Sequence, residues 1–308
     1  MDGLINIDKP LGNTSFSIVA MVKRLSGERR VGHAGTLDPA ATGVLPICLG
    51  RGTRIVEFLM DTTKTYRAQI KFGVATDTYD ASGKITQQGD PSDISREQLE
   101  SALASFHGLI QQIPPMYSAI KHHGQPLYKL ARVGITIERK SRPTKIYKLE
   151  LTDWEPPVAT VEVECGKGTY VRSLAHDLGQ SLGCGAHLKS LIRLKYGIFG
   201  IDTAVSIPIL EDAFHHGNWH QFVYPVDIAL SHLRAIVVNT TVEDIIGKGG
   251  SFAIPEHDTG STQCLPRQYP ESSSTETHCR AYTPDGTFLG VLRFDTEKRQ
   301  WQSYKVFL

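Results

Sequence analysis

Cysteine is scarce in this chain, and the five that occur (Cys48, Cys165, Cys184, Cys264 and Cys279) are odd in number and widely scattered. That spacing excludes a disulfide framework and fits a reducing compartment. Long apolar runs are missing too: none approaches the roughly eighteen residues of a membrane-spanning helix. Met1-Asp2-Gly3 lacks the basic start and apolar stretch of a signal peptide, so a cytoplasmic protein with no membrane contact is expected. An excess of charge is absent as well, with 33 Lys+Arg against 32 Asp+Glu for a net +1. With hydrophobic residues at 40% and charged residues at 21%, wholesale disorder is excluded.

Signals for cofactors are equally sparse. No G-x-G-x-x-G follows a strand candidate, and Gly247-Lys248-Gly249-Gly250-Ser251 lacks the Walker A spacing. Cys184 and His187 form a C-x-x-H without a second pair, and none of the twelve histidines falls in an H-E-x-x-H. The expectation is chemistry that uses neither a metal nor a cofactor.

What is present is 308 residues, enough for one large domain or two of ordinary size. The near-zero charge conceals an asymmetry. Residues 1–199 carry 25 Lys+Arg and 19 Asp+Glu, whereas residues 200–308 carry 8 and 13. Within 121–150 there are 8 basic residues (Lys121, Lys129, Arg132, Arg139, Lys140, Arg142, Lys145, Lys148) against Glu138 and Glu150. A local charge of this kind attracts a polyanion such as RNA, or else forms a solvated basic loop.

Periodicity sketches the organisation. Leu4–Ile7 reads as a strand, and Thr14 or Ser15 caps a helix carrying Ile18, Val19, Val22 and Leu25 at helical spacing. Tyr66, Ala68, Ile70, Phe72 and Val74 alternate with Arg67, Gln69, Lys71 and Gly73, the period of a half-buried strand. Ser95-Arg96-Glu97-Gln98 has capping-box form and opens a helix to about His107. Strands are expected at 145–151 and 158–165, and a helix near 171–182. Irregularly mixed elements of this sort predict an α+β fold rather than a doubly wound sheet. A domain boundary is expected between about 228 and 235. Beyond it a short helix (241–247) precedes strands at 279–283 and 287–294, joined at Pro284-Asp285-Gly286. The Ser-, Thr- and Pro-rich stretch 256–278 reads as a mobile loop.

One loop invites a chemical reading: Gly32-His33-Ala34-Gly35-Thr36-Leu37-Asp38-Pro39. Either Asp38 caps a helix with Pro39 at its first position, or it is an ionised carboxylate held in a tight turn as a nucleophile. The second alternative needs a cation to keep the acid charged, because burial alone raises its pKa. Arg172, two residues past Tyr170 at the head of a helix, can serve; it is otherwise a surface arginine in a first helical turn.

At this loop the sequence resembles the TruB family of tRNA pseudouridine synthases, which convert uridine 55 in the T-loop to pseudouridine. Lys9-Pro10-Leu11-Gly12-Asn13-Thr14-Ser15 is similar to the family's first motif, and Gly32–Pro39, continuing through Ala41–Pro46, to its catalytic motif. Lys64-Thr65-Tyr66-Arg67, Thr76–Gly83, Gly168–Leu174 and Gly185–Arg193 resemble the family in order and spacing over residues 1–230. Family members often carry Leu-Arg-Arg where this chain has Leu191-Ile192-Arg193. The C-terminal resemblance, around Arg280-Ala281-Tyr282 through Gly290, is thin.

The resemblance implies Asp38 as the nucleophile, attacking C1′ of a flipped-out uridine; Arg172 as its ion-pair partner; and Tyr66 stacked on the target base. It implies Tyr170 and Leu191 as pocket-lining residues and His33 as a stacking residue that helps extrude the nucleotide. Lys9 and Pro10 would brace the loop. The implied fold is a mixed catalytic domain (1–230) around a central antiparallel sheet, with a basic RNA-contacting insertion near 121–150, followed by a small PUA-like β module (231–308). The implied substrate is tRNA, bound through T-loop and T-stem by a monomer with no obligatory protein partner and no cofactor. Two further readings stand beside it: an RNA-binding protein that helps tRNA fold, and a guide-RNA-dependent pseudouridine synthase. Asp38, Tyr66 and Arg172 together favour the enzyme, since a pure binder has no need of an acid set against a polyanion.

Overall fold

A computed structural model describes residues 1–253, 263–264 and 277–308. Among these residues a sheet of eleven strands forms the scaffold. Its main path runs through Val205–Ser206, Gly3–Lys9, Ala41–Leu49, Ala186–Tyr196, Lys64–Phe72, Val158–Cys165, Arg142–Glu155 and Gly108–Gln112. The α+β expectation holds, and the sheet is mainly antiparallel. Two pairings depart from that: Gly3–Lys9 with Val205–Ser206, and Ala41–Leu49 with Ala186–Tyr196, are parallel.

Local chemistry accounts for most of the elements. The helix Ser15–Ser26 starts at Thr14, whose side chain accepts the Ser17 amide, and stops at Gly27 in the left-handed conformation. Ser95 and Gln98 form the expected reciprocal capping box for Arg96–Ala104. That helix ends short of His107, because Gly108 opens a strand with φ near 87°. The strand Val158–Cys165 buries every second residue, as its alternation predicts. The alternation beginning at Tyr66 misplaces one end. The strand runs from Lys64 to Phe72 and breaks at Gly73 (φ 89°), and Val74–Thr76 pairs instead with Ile85–Gln88.

The basic segment opens with a two-residue hairpin (Lys121–His122 with Gln125–Pro126) and the short helix Leu127–Arg132. It then joins the long strand Arg142–Glu155, which reaches further at both ends than 145–151. Helix Val171–Ser181 packs Val171, Leu174, Ala175 and Leu178 into a core with Ala68, Ile70, Val161 and Val163 of the sheet. Burying a leucine there stabilises by about 1.5–3 kcal/mol.

A second sheet, six strands among the described residues, begins with Arg234–Val237. Strands His278–Tyr282 and Phe288–Asp295 lie within a residue of expectation, with Gln300–Val306 added beside them. The expected mobile loop at 256–278 falls outside the described residues, save 263–264 and 277–278. The two sheets share a core in which Val291 of the smaller, and Phe307 just past its last strand, pack with Leu4 and Val44 of the larger and with Phe58 of the helix Val56–Met60. Arg51 and Arg54 bind the last backbone carbonyls, at Val306, Phe307 and Leu308. No described helix is long and apolar enough to cross a membrane.

Candidate active site

Three adjacent strands assemble one wall of a cleft of about 830 Å³. Ala41–Leu49 begins three residues after Asp38 and lies beside Ala186–Tyr196, with Ala41 opposite Leu191 and Gly43 opposite Arg193. On its other edge Ala186–Tyr196 pairs with Lys64–Phe72, placing Leu191 opposite Ala68, Arg193 opposite Tyr66 and Tyr196 opposite Lys64. Directly opposed residues point to the same face of a sheet, so Leu191, Arg193, Lys64 and Tyr66 project together. Gly43 is required for this contact: at φ 100°, any Cβ there would overlap the backbone of Arg193.

Asp38 sits in the loop that enters this wall, and no helix follows it, so the capping alternative falls away. Its Oδ2 lies 3.0 Å from the Nε of Arg172, an ion pair. The arginine is no surface residue: its side chain is 8% exposed, against 41% for Asp38. Helix Val171–Ser181 delivers it across the cleft, and its other nitrogens are occupied. One Nη donates to the Tyr117 carbonyl at 2.9 Å, and the other to the Thr78 carbonyl at 3.4 Å. Asp80 adds a second carboxylate 3.9 Å away. A guanidinium tethered in this way can aim the Asp38 carboxylate.

Tyr66, Tyr170 and Leu191 line the same cleft. Burial pushes the Tyr66 phenol above its ordinary pKa, opposed by the nearby Arg193 guanidinium. Tyr170 is clamped through its backbone, since its amide donates to the Gln112 side chain at 2.8 Å and its carbonyl accepts from it at 3.0 Å. Burial raises its phenol as well. His33 is the exception among the expected residues. It lies on the strand Val31–His33 opposite Ile47, and the cleft lining begins at Gly35. Burial and Arg193 lower its pKa, which favours the neutral imidazole.

The structure describes the surroundings of Lys9, expected to brace the loop, and adds residues that the sequence did not single out. Lys9 is fully buried, and its ammonium donates to the carbonyls of Pro10 and Asn13. Burial brings its pKa down to about 8, with Asp38 pulling the other way. Asp80, Gln112 and Tyr196 became visible only through their contacts, because each acts across the fold rather than along the chain. Tyr128 and Arg132 of the basic segment line the cleft mouth, with the guanidinium 5.6 Å from the ring centre. Among the described residues no group of three His, Cys, Asp or Glu is placed to hold a metal ion.

Known proteins resemble this chain over nearly its whole length. Residues 23–171 match the TruB family pseudouridylate synthase N-terminal domain, and residues 172–231 match the tRNA pseudouridylate synthase B C-terminal domain. The tRNA pseudouridine synthase B of Dehalococcoides mccartyi strain CBDB1 is 42% identical over 308 residues, covering 100% of this chain and 97% of that one. The Clostridium acetobutylicum protein of the same name is 46% identical over 291 residues, covering 94% and 95%. Among solved structures, a chain of a Cbf5-Nop10-Gar1 complex superposes with a TM-score of 0.73 at 26% identity, over 94% of this chain and 78% of that one. A chain of an archaeal box H/ACA Nop10-Cbf5 complex shares the fold at 24% identity, also with a TM-score of 0.73, over 99% and 86%. With both family domains matched and full-length relatives above 40% identity, the chain belongs to the TruB family of pseudouridylate synthases.

Proposed function

We propose that this protein isomerises uridine 55 in the T-loop of tRNA to pseudouridine, with Asp38 as nucleophile. The observation that carries the reading is the 3.0 Å contact between a buried, fully tethered Arg172 and a cleft-facing Asp38. An RNA-binding protein without catalysis gains nothing from a carboxylate ion-paired to a tethered arginine in its binding cleft. The support for tRNA is the name shared by relatives that span nearly the whole chain.

The target nucleotide leaves its stack, at a cost of a few kcal/mol, and enters the cleft. Its base lies against the Tyr66 ring, with Leu191 and Tyr170 closing the walls. The Asp38 carboxylate faces C1′, held there by Arg172. Cleavage of the C1′–N1 bond leaves the electron pair on the base, while C1′ either bonds to Asp38, a bond broken again when C5 attacks, or gives up its neighbouring C2′ proton to Asp38 and forms a glycal that regains this proton as C5 bonds to C1′. The base turns within the closed pocket and C5 bonds to C1′. The C5 hydrogen leaves as a proton, and N1 takes one up. Exchange of a C–N for a C–C bond inside one nucleotide involves no net oxidation, so it calls for no oxidant or reductant. His33, outside the cleft lining, would act on the RNA as it enters.

We assign catalysis to residues 1–230 and treat 231–308 as a PUA-like module. The basic segment 121–150 contacts the T-stem and T-loop, and the enzyme works as a cytoplasmic monomer. The test is tritium release from [5-³H]uridine-labelled, unmodified tRNA, with wild type beside Asp38→Asn. Release by wild type alone, mapped to position 55 and with tRNA affinity retained by the variant, is expected. Near-wild-type release by Asp38→Asn would remove Asp38 as nucleophile. Tight binding with no release by wild type would favour the folding-factor or guide-dependent reading.

A further inference from the structure

Arg193 is among the most deeply buried large side chains of the protein, at 1% exposure, yet it lines the cleft. Its Nε donates to the Val44 carbonyl at 2.6 Å and one Nη to the Gly35 carbonyl at 3.2 Å. Among the described residues no carboxylate lies within ion-pair distance, and Asp38, in the same cleft, is bonded to Arg172. The guanidinium lies 4.9 Å from the centre of the Tyr196 ring, and the Lys64 ammonium 4.7 Å from the same centre. Lys64 is also buried, and its bonds go to the carbonyls of Met60 and Thr62. Tyr196 is fully buried, with a hydroxyl that has no hydrogen-bond partner.

Holding two cations out of water without a counter-ion is costly, by several kcal/mol per ion. Two carbonyl acceptors could be met by a neutral amide, so the Gly35 and Val44 bonds alone do not call for a charge. An uncompensated positive site becomes favourable when negative charge develops beside it in a low-dielectric pocket. Arg193 stands opposite Tyr66 in the sheet, against the ring assigned to the base.

We propose that Arg193 is a further catalytic residue, whose guanidinium, backed by Lys64 across Tyr196, stabilises the uracil anion formed when the C1′–N1 bond breaks. This inference rests on the isomerase reading above. The electron pair of the C1′–N1 bond goes to the base, which leaves as the anion while C1′ is taken by Asp38 or enters the glycal. The anion stays beside the guanidinium as it turns. Its charge is then consumed when C5 bonds to C1′, and loss of the C5 proton balances protonation of N1.

Leaving-group acidity tests this. Fluorine at C5 makes uracil a better anionic leaving group, so a 5-fluorouridine target depends less on the cation. Single-turnover consumption of the target nucleoside, uridine or 5-fluorouridine, is followed by chromatographic retention after nuclease digestion; this reads C1′–N1 cleavage in both substrates, because the uridine isomers share one mass and fluorinated C5 has no proton to lose. Wild type, Arg193→Gln, Arg193→Lys and Lys64→Met are compared. Arg193→Gln is expected to slow the uridine substrate by about 100-fold and the fluorinated one markedly less, with RNA affinity unchanged and Arg193→Lys recovering much of the loss. Lys64→Met shifts the same ratio in the same direction by a smaller amount, and it decides the matter if Arg193→Gln does not fold. Equal slowing of both substrates overturns the inference and leaves Arg193 as a brace for the loop. A wild type that converts neither substrate overturns the isomerase reading itself.

Discussion

Arg172 and Asp38 divide their ion pair unequally: the guanidinium is buried and tethered by the Thr78 and Tyr117 carbonyls, while the carboxylate 3.0 Å away faces the cleft. The cation therefore fixes the acid, and not the reverse. Replacing Arg172 with Met leaves the carboxylate free to rotate, and misplacement on the ångström scale costs about 100-fold in rate. Arg172→Lys keeps the charge but cannot hold three partners at once, and is expected to fall between. Single-turnover tritium release with saturating enzyme measures this. Wild-type rates in Arg172→Met would mean that Asp38 needs no partner.

RNA affinity should follow the basic segment. Lys140, Arg142 and Lys145 are exposed, whereas Arg139 donates to the Pro114 carbonyl at 3.0 Å and has work inside the fold. Changing the three exposed residues to Gln, with Arg139 kept, should weaken tRNA binding. It should also flatten the dependence of log K on log salt by about 0.7–0.9 for each lost phosphate contact. Filter binding at several salt concentrations reads both quantities. An unaltered slope would place the RNA elsewhere.

Lys9 gives a pH signature. Burial lowers its pKa from 10.5 to about 8, so the folded protein releases this proton before the unfolded chain does. Folding is opposed by the buried charge below about pH 8, and that opposition fades as pH rises from about 8 towards 10.5. Relative to Lys9→Met, the wild type should therefore gain stability across this window. Urea unfolding of both proteins at pH 7 and pH 10 tests the sign; a constant difference between them would show that Lys9 keeps its ordinary pKa when folded.

Gly43 is the position where backbone strain and site assembly meet. Gly43→Ala forces a side chain to φ 100° and into the backbone of Arg193. The conformational penalty alone is about 1–3 kcal/mol, and the strand contact that sets Ala41 opposite Leu191 loosens with it. Stability and turnover are expected to fall together. A variant with unchanged urea midpoint and activity would mean that the two strands adjust at no cost.

The sequence by itself determined the local elements and the identity of the chemistry. Caps at Thr14 and Ser95, the alternation of 158–165 and the Asp38 loop are each written in a few neighbouring residues, because hydrogen bonds to nearby amides and side-chain periodicity are short-range effects. Motif order was also enough to single out Asp38, Tyr66, Tyr170, Arg172 and Leu191, all of which line one cleft. Tertiary structure alone decided what surrounds them. That Gln112 clamps Tyr170, that Asp80 flanks Arg172, and that His33 pairs with Ile47 outside the cleft lining follow from contacts between residues far apart in the chain. Nothing in the run Leu191-Ile192-Arg193 shows that its arginine is buried without a counter-ion. Burial and pairing of charge belong to the packed sheet, where desolvation sets the energy of every ionised group; the chain supplies the arginine, and only the fold removes its water.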